Sequence, residues 1–343
     1  MKAVRFHHHG GPDVLVYEDA PDPATPTGGV VVRVRACALN HLDLWQRRGL
    51  DRVVIPLPHI SGADVAGEIA DVGAGVSGWR RGDRVMLQPG VSCGTCAMCV
   101  AGRDNYCAKY DVLGYQSDGG YAEYVAVPEA NVIALPDGIG WPEAAAFPLA
   151  FLTAWHMLYG RAGLTADDTV LVLAAGSGVG QAAIQIAHAA GARVFATAGG
   201  AEKLARAKAL GADEVVDHYA DDVVKKVKAW TAGRGVDVVI EHVGVATWER
   251  SVRCLARGGR LVTCGATTGH AASLDLRHLF ARQLSLLGSY MGAKQELIRA
   301  TELFFAGRLR AVVDRTMPLQ DAAEAHRQLE ASAQFGKIVL TVG

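Results

Sequence analysis

Residues 170–180 read VLVLAAGSGVG and run directly into QAAIQIAHAA at 181–190. Consecutive apolar residues, a turn of small residues and an alanine-rich stretch closed by Gly191 spell a buried strand, a tight turn and a helix. The turn approximates G-x-G-x-x-G, with Ala175 and Ser177 in the first two glycine places and Gly180 in the third. A thin turn at the positive end of a helix lets backbone N–H groups approach a pyrophosphate. Ser177, Gly178, Val179 and Gly180 are therefore the expected phosphate contacts.

The same rhythm continues downstream. Strands at 193–197, 214–216, 236–240 and 260–264 alternate with helices at 202–210, 220–231 and 246–255, the last stopped by Gly258-Gly259. Apolar strands separated by helices mean a parallel sheet covered on both faces. Such sheets bind ligands beyond the carboxyl ends of their strands, where Val243, Gly244, Gly265 and Ala266 fall. The second strand ends in Ala198-Gly199-Gly200, with no acid to hold ribose hydroxyls, and Lys203 follows. That combination favours NADP(H) over NAD(H), because nothing repels a 2′-phosphate and Lys203 attracts one. Glu202 is read as facing solvent.

Upstream, period-two strands alternate with Gly/Pro turns, as at 29–36 (GVVVRVRA), 65–72 and 84–86, predicting a small, mostly antiparallel, barrel-like domain. Residues 143–159 read as a helix interrupted near Pro148. After 288, helices at 294–306 and 319–330 precede a closing strand at 337–342, expected to return to the first domain. The 343 residues suit two domains of ~100–200 residues each. The reading is α/β, with a mostly-β catalytic domain over 1–141 and 284–343 and a doubly wound parallel-sheet cofactor domain over 142–283. The apolar strand 285–291 is expected at a sheet edge, covered by a second copy in a homodimer or homotetramer.

Four of the seven cysteines, Cys93, Cys96, Cys99 and Cys107, follow C-x2-C-x2-C-x7-C. Four thiolates at that spacing close a tetrahedral zinc with no open position, the pattern of one structural site in a lobe near 90–110. A net charge of −1 gives no reason to expect nucleic acid or an anionic membrane as partner. No run reaches the ~18 apolar residues of a membrane span, and the start MKAVRF reads as a strand, not a secretory signal. A cytoplasmic, reducing compartment and a small-molecule substrate are the expectation.

The assembled motifs resemble the medium-chain dehydrogenase/reductase superfamily across nearly the whole chain. The matches are the cysteine lobe, Gly62-Ala63-Asp64-Val65-Ala66-Gly67, Gly82-Asp83-Arg84-Val85, Gly120-Tyr121-Ala122-Glu123-Tyr124, the AAGSGVG turn and Gly336-Lys337-Ile338-Val339-Leu340. The resemblance implies a GroES-like catalytic domain, a Rossmann cofactor domain and nicotinamide-dependent hydride transfer. It places the nicotinamide ribose at Val243, Gly244, Gly265 and Ala266, and the nicotinamide end beside Thr153. Zinc alcohol dehydrogenases of this superfamily carry a second, catalytic zinc on a Cys, a His and a third Cys or acid. Cys37 matches the first ligand, but Ala63 stands at the histidine and Leu149 at the third position. Residues 37–49, CALNHLDLWQRRG, instead resemble the quinone oxidoreductase branch. That branch implies metal-free hydride transfer to a quinone, enone or similar acceptor. Asn40 would hydrogen-bond the acceptor or ribose, and Asp43 would fix the loop by capping or pairing. Asp51 lies where that branch often has a tyrosine.

Alternatives stay open. His41 and His59 are of a type suited to proton transfer near neutrality, though lone histidines are more often packed or solvated. His59 with Cys37 and Asp64 would by ligand type rebuild an unconventional zinc site, and hence an alcohol dehydrogenase. Cys37 also reads as a small buried apolar group. A nucleotide-binding protein of low turnover is the third reading.

Overall fold

The structure, a computed structural model, describes residues 1–50 and 53–343. These form two compact units, one of 1–149, 293–297 and 310–343, the other of 150–292 and 298–309.

In the second unit the opening motif forms the centre of a six-stranded parallel sheet. Its order is Glu214–Asp217, Arg193–Ala198, Thr169–Val172, Val236–Glu241, Leu255–Thr263 and Ser285–Gly288. The first strand in sequence lies in the middle, so the chain reverses direction beside it, which is the doubly wound arrangement. Leu171, Phe195, Val216, Val239 and Leu261 build the core on the sheet. The Val223–Trp230 helix buries Val223 and Val227 and is capped by Asp222, whose carboxylate accepts the Lys225 N–H.

In the first unit the long Gly29–Ala38 strand organises an antiparallel sheet. One edge pairs with Asp64–Val72; the other pairs with Tyr124–Pro128 and then, at its far end, with Lys337–Thr341. Its inward side chains Val30, Val32, Val34 and Cys37 meet Val65, Ile69, Val85 and Leu340 in one core. The closing strand also pairs in parallel with Val313–Pro318.

Some elements depart from the reading. The helix expected over 143–159 breaks near Pro148 as read, into Trp141–Ala146 and Pro148–Trp155, but it also starts two residues earlier and ends in a π-helical turn at His156–Arg161. Pro148 has no N–H to continue the ladder, so the helix restarts there. Gly258-Gly259 does not end a helix ahead of a separate strand; it bulges within the Leu255–Thr263 strand, where the register jumps from Val236↔Leu255 to Val238↔Arg260. Ser285–Gly288 pairs with Leu255–Thr263, so the parallel sheet runs past the boundary expected at 283. The pairing was invisible because an apolar edge strand looks alike in either domain. Among the described residues, no helix is long and apolar enough to cross a membrane.

Candidate functional site

Cys93, Cys96, Cys99 and Cys107 bring their sulfurs within 4.8 Å of one another. The Cys93–Cys99 and Cys96–Cys99 separations are 3.9 and 3.5 Å. A tetrahedral zinc with Zn–S near 2.3 Å has sulfur–sulfur edges of about 3.8 Å, so the four residues fit that ion. Backbone N–H groups of Thr95 and Cys96 point at the Cys93 sulfur and pull its thiol down to about 6. The Lys109 N–H donates to Cys107 Sγ at 3.3 Å. From Val91 to Tyr106 no residue is buried, so this lobe has no apolar core of its own. Cross-linking is what would hold it.

The first unit also gathers a buried polar cluster at the end of the Gly29–Ala38 strand. The helix His41–Arg48 starts there, and the Asp43 carboxylate accepts the Asn40 N–H at 2.7 Å, as a capping residue should. Asp64, at the start of its strand, is paired with Lys337 of the closing strand at 2.9 Å; their side chains are 0% and 4% exposed. Asn40 completes the triangle: its Oδ1 accepts from Lys337 Nζ at 2.6 Å and its Nδ2 donates to Asp64 Oδ2 at 3.0 Å. The Leu149 N–H donates to the other Asp64 oxygen at 2.8 Å.

A second chain of contacts runs from Asp43. Tyr121 Oη donates to Asp43 Oδ2 at 3.0 Å and lies 3.2 Å from His326 Nε2. Arg47 Nη1 donates to His326 Nδ1 at 2.9 Å, and Arg47 is closed off by Glu330 at 2.5 Å. This order fixes the donors: Arg47 to His326, His326 to Tyr121, Tyr121 to Asp43. Burial pushes Asp43 up to about 6, opposed by the Asn40 N–H and Lys337. Burial, then the Arg47 and Arg48 charges, push His326 down to about 3, so the imidazole is neutral.

Cys37 is fully buried. Cβ atoms added at Gly62 and Gly120 would fall 2.7 and 3.0 Å from its sulfur. Burial, then Asp43 and Asp64, push its thiol up. His59 lies elsewhere in the unit: Gln46 Nε2 donates to its Nε2 at 2.5 Å, Phe6 packs edge-on, and Asp118 stands 3.7 Å from Nδ1. Burial lowers its pKa. Among the described residues, Cys37, His59 and Asp64 do not converge as a three-ligand group; the four-cysteine lobe is the one such group. Asp51 lies outside the described residues.

In the second unit the glycine-rich turn has the expected form. Ser177 caps the Gly178–Ala189 helix, its Oγ accepting the Gly180 N–H at 2.8 Å. A Cβ on Gly180 would sit 2.3 Å from the Ala174 carbonyl oxygen and 2.9 Å from Ser177 Oγ. Gly180→Ala should therefore force the turn apart. We expect at least a tenfold rise in the Kd for NAD(P)H by fluorescence titration, and an unchanged Kd would remove this turn from the cofactor site. Thr153 is buried on the Pro148–Trp155 helix.

At the other strand ends, Val243 and Gly244 follow Val236–Glu241, and Gly265 and Ala266 follow Leu255–Thr263. The two loops are joined: the Thr268 N–H donates to the Val243 carbonyl at 2.8 Å and the Val245 N–H to Gly269 at 3.2 Å. His242 Nε2 reaches back to the Leu173 carbonyl at 3.0 Å. Beside Gly199-Gly200, burial and then the Arg250 charge lower the His218 pKa, with a smaller contribution from Lys203. Glu202 faces solvent with a side chain 87% exposed. Asp217 is occupied by the Gly200 and Tyr219 N–H groups, each at 2.9 Å.

Sequence reasoning missed Lys337, Tyr121, His326 and Arg47 as parts of the cluster. Lys337, Tyr121 and Arg47 stood inside quoted motifs, and that was their only signal; His326 had none.

Comparison with known proteins agrees with this geometry. The alcohol dehydrogenase GroES-like domain matches residues 26–137, and the zinc-binding dehydrogenase family matches 178–306. An NAD-dependent alcohol dehydrogenase of Sulfolobus acidocaldarius is 32% identical, with 100% of each chain covered. A quinone oxidoreductase of Rattus norvegicus is 30% identical over 99% of this chain and 97% of its own. A crystal structure described as an NAD-dependent alcohol dehydrogenase matches with a TM-score of 0.97 at 48% identity, covering 100% of both chains. The chain belongs to the medium-chain dehydrogenase/reductase superfamily and is an NAD(P)-dependent oxidoreductase.

Proposed function

We propose that this enzyme transfers hydride from a reduced nicotinamide to a quinone, enone or similarly electron-poor acceptor, without a catalytic metal. The observation that carries the reading is the donor set around Asp64. Alanine stands at position 63, Leu149 contributes its peptide N–H, and the Asp64 carboxylate is already held by Lys337 and Asn40. Cys37 is left as a lone thiol, and one ligand does not hold a Lewis-acid zinc. An acceptor conjugated enough to carry the developing charge needs no such metal. Within the protein, Asn40, Asp43 and Lys337 would fix the polar surface that faces the acceptor, and the cofactor would do the chemistry. Ser177–Gly180 would hold the pyrophosphate, with Val243, Gly244, Gly265, Ala266 and Thr153 at the nicotinamide end.

NADPH is the favoured cofactor, since Ala198 ends its strand without an acid and Lys203 follows. The four cysteines would bind one structural zinc. Thiolates kept reduced for zinc suit a cytoplasmic setting.

The 48%-identical alcohol dehydrogenase favours a second reading, oxidation of alcohols with NAD⁺. Two measurements separate them. Metal analysis should give one zinc per chain, and NADPH should be oxidised by benzoquinones or enones regardless of chelator. Two metals per chain with chelator-sensitive oxidation of simple alcohols would sink the first reading.

The edge strand Ser285–Gly288 is flanked by Leu276, Phe280 and Tyr290, exposed by 66%, 69% and 55%. Pairing of two such edges about a twofold axis would cover them. Leu287→Lys combined with Phe280→Glu should convert a dimer into a monomer by light scattering. A dimer that persists unchanged would place its interface elsewhere.

A further inference from the structure

We infer that Glu241 is the positioning residue for the nicotinamide half of the cofactor. The side chain ends the Val236–Glu241 strand and is 0% exposed. All its partners are donors: the Val243 N–H at 2.7 Å, the Gly244 N–H at 3.1 Å, Thr247 Oγ1 at 2.9 Å and Ser251 Oγ at 2.7 Å. A buried acceptor so fully satisfied is a rigid anchor, and removing it would strand several donors away from water.

The anchored backbone is the loop at 243–244. Gly244, with φ +100°, approaches the second loop so closely that a Cβ would lie 2.7 Å from the Gly269 carbonyl oxygen. The Val243 carbonyl accepts from Thr268 Oγ1 at 2.7 Å and from Thr267 Oγ1 at 3.0 Å. One carboxylate therefore sets the position of both loops at this end of the sheet. The glycine-rich turn is held differently, by the Ser177 cap and the His242 contact to Leu173. His242, next in sequence, also lies 3.4 Å from Ser177 Oγ and so touches both halves of the cofactor site, but the side-chain bonds of Glu241 all go to residues 243–251. This inference rests on the reading of Val243, Gly244, Gly265 and Ala266 as the nicotinamide ribose region.

The test compares whole and half cofactor. Titrate wild type and Glu241→Gln with NADPH, NADH, ADP and adenosine 2′,5′-bisphosphate, and record thermal melts of both. The glutamine amide would face backbone donors, so the Kd for NADPH and NADH should rise at least tenfold. Kd for the adenine nucleotides should change less than twofold. Equal weakening of both classes, or no weakening in a cooperatively melting variant, overturns the inference. If Glu241→Gln does not fold, Thr247→Val decides. It keeps the carboxylate and should weaken NADPH about threefold with no change for ADP; any other pattern overturns the inference. Wild type that binds ADP but neither NADPH nor NADH would sink the cofactor assignment itself.

Discussion

Replacing Lys337 with methionine should lower the unfolding free energy by about 3–5 kcal/mol, the usual cost of leaving one member of a buried ion pair alone. Asp64 would keep its Asn40 and Leu149 donors but lose the cation bonded to it, the one such partner among the described residues. Total stability is typically about 5–15 kcal/mol, so the loss would be visible in any denaturant melt. The partner substitution makes the cause testable. Asp64→Asn with Lys337→Met removes both charges, and the double variant should recover most of the loss. If the double variant is as unstable as the sum of the singles, shape and not charge is what the pair supplies. The same variant should also loosen Asn40, whose Oδ1 depends on Lys337.

Removing metal from the cysteine lobe should have an effect of comparable size with a different distribution. Cys99→Ser, or prolonged chelation under reducing conditions, should cost on the order of 4 kcal/mol, as losses of structural metal do. The damage should be local, because residues 91–106 bury nothing that would hold them once the thiolates separate. Limited proteolysis should therefore cut first within the lobe, while NAD(P)H binding by the second unit changes little. A lobe that stays protease-resistant after one zinc per chain has been released would show that other contacts, such as the Lys294 N–H to Asp104 at 3.0 Å, are enough.

The parts of the molecule legible in the sequence are those built from neighbours. The strand, turn and helix at 170–190 announce themselves by periodicity and small residues, and four cysteines at ligand spacing need no tertiary information. Asp43 was legible only through the resemblance, as a residue that would cap or pair, and the bonds of Asn40 to Lys337 and Asp64 had no local signal. Lys337 was not legible as a partner. It sits 273 residues from Asp64 and 297 from Asn40, and a lysine opening a terminal strand looks like any solvated edge residue. His326, 279 residues from Arg47, is equally silent: Arg47 lay in the quoted 37–49 stretch, but nothing in either helix shows that the two face each other. Glu241 read as one polar letter in VVIEHVG; its partners were nearby, but burial of a strand-end acid depends on how the sheet is covered. His59 shows the other side: its residue type suggests proton transfer, and the structure gives it the packed setting that lone histidines more often have, against Phe6 and Gln46.

The placement of Lys337–Thr341 between Val313–Pro318 and Gly29–Ala38 has a consequence for biosynthesis. Asp64 emerges early and must be buried, yet its countercharge is made 273 residues later. At ~5–20 residues per second on the ribosome, that delay is roughly 14–55 s. During it the amino-terminal sheet is an unfinished template with one edge half unpaired and an acid awaiting its cation. The nascent chain is then most exposed to strand-swapped association or chaperone capture, and the first unit closes only as the last strand arrives.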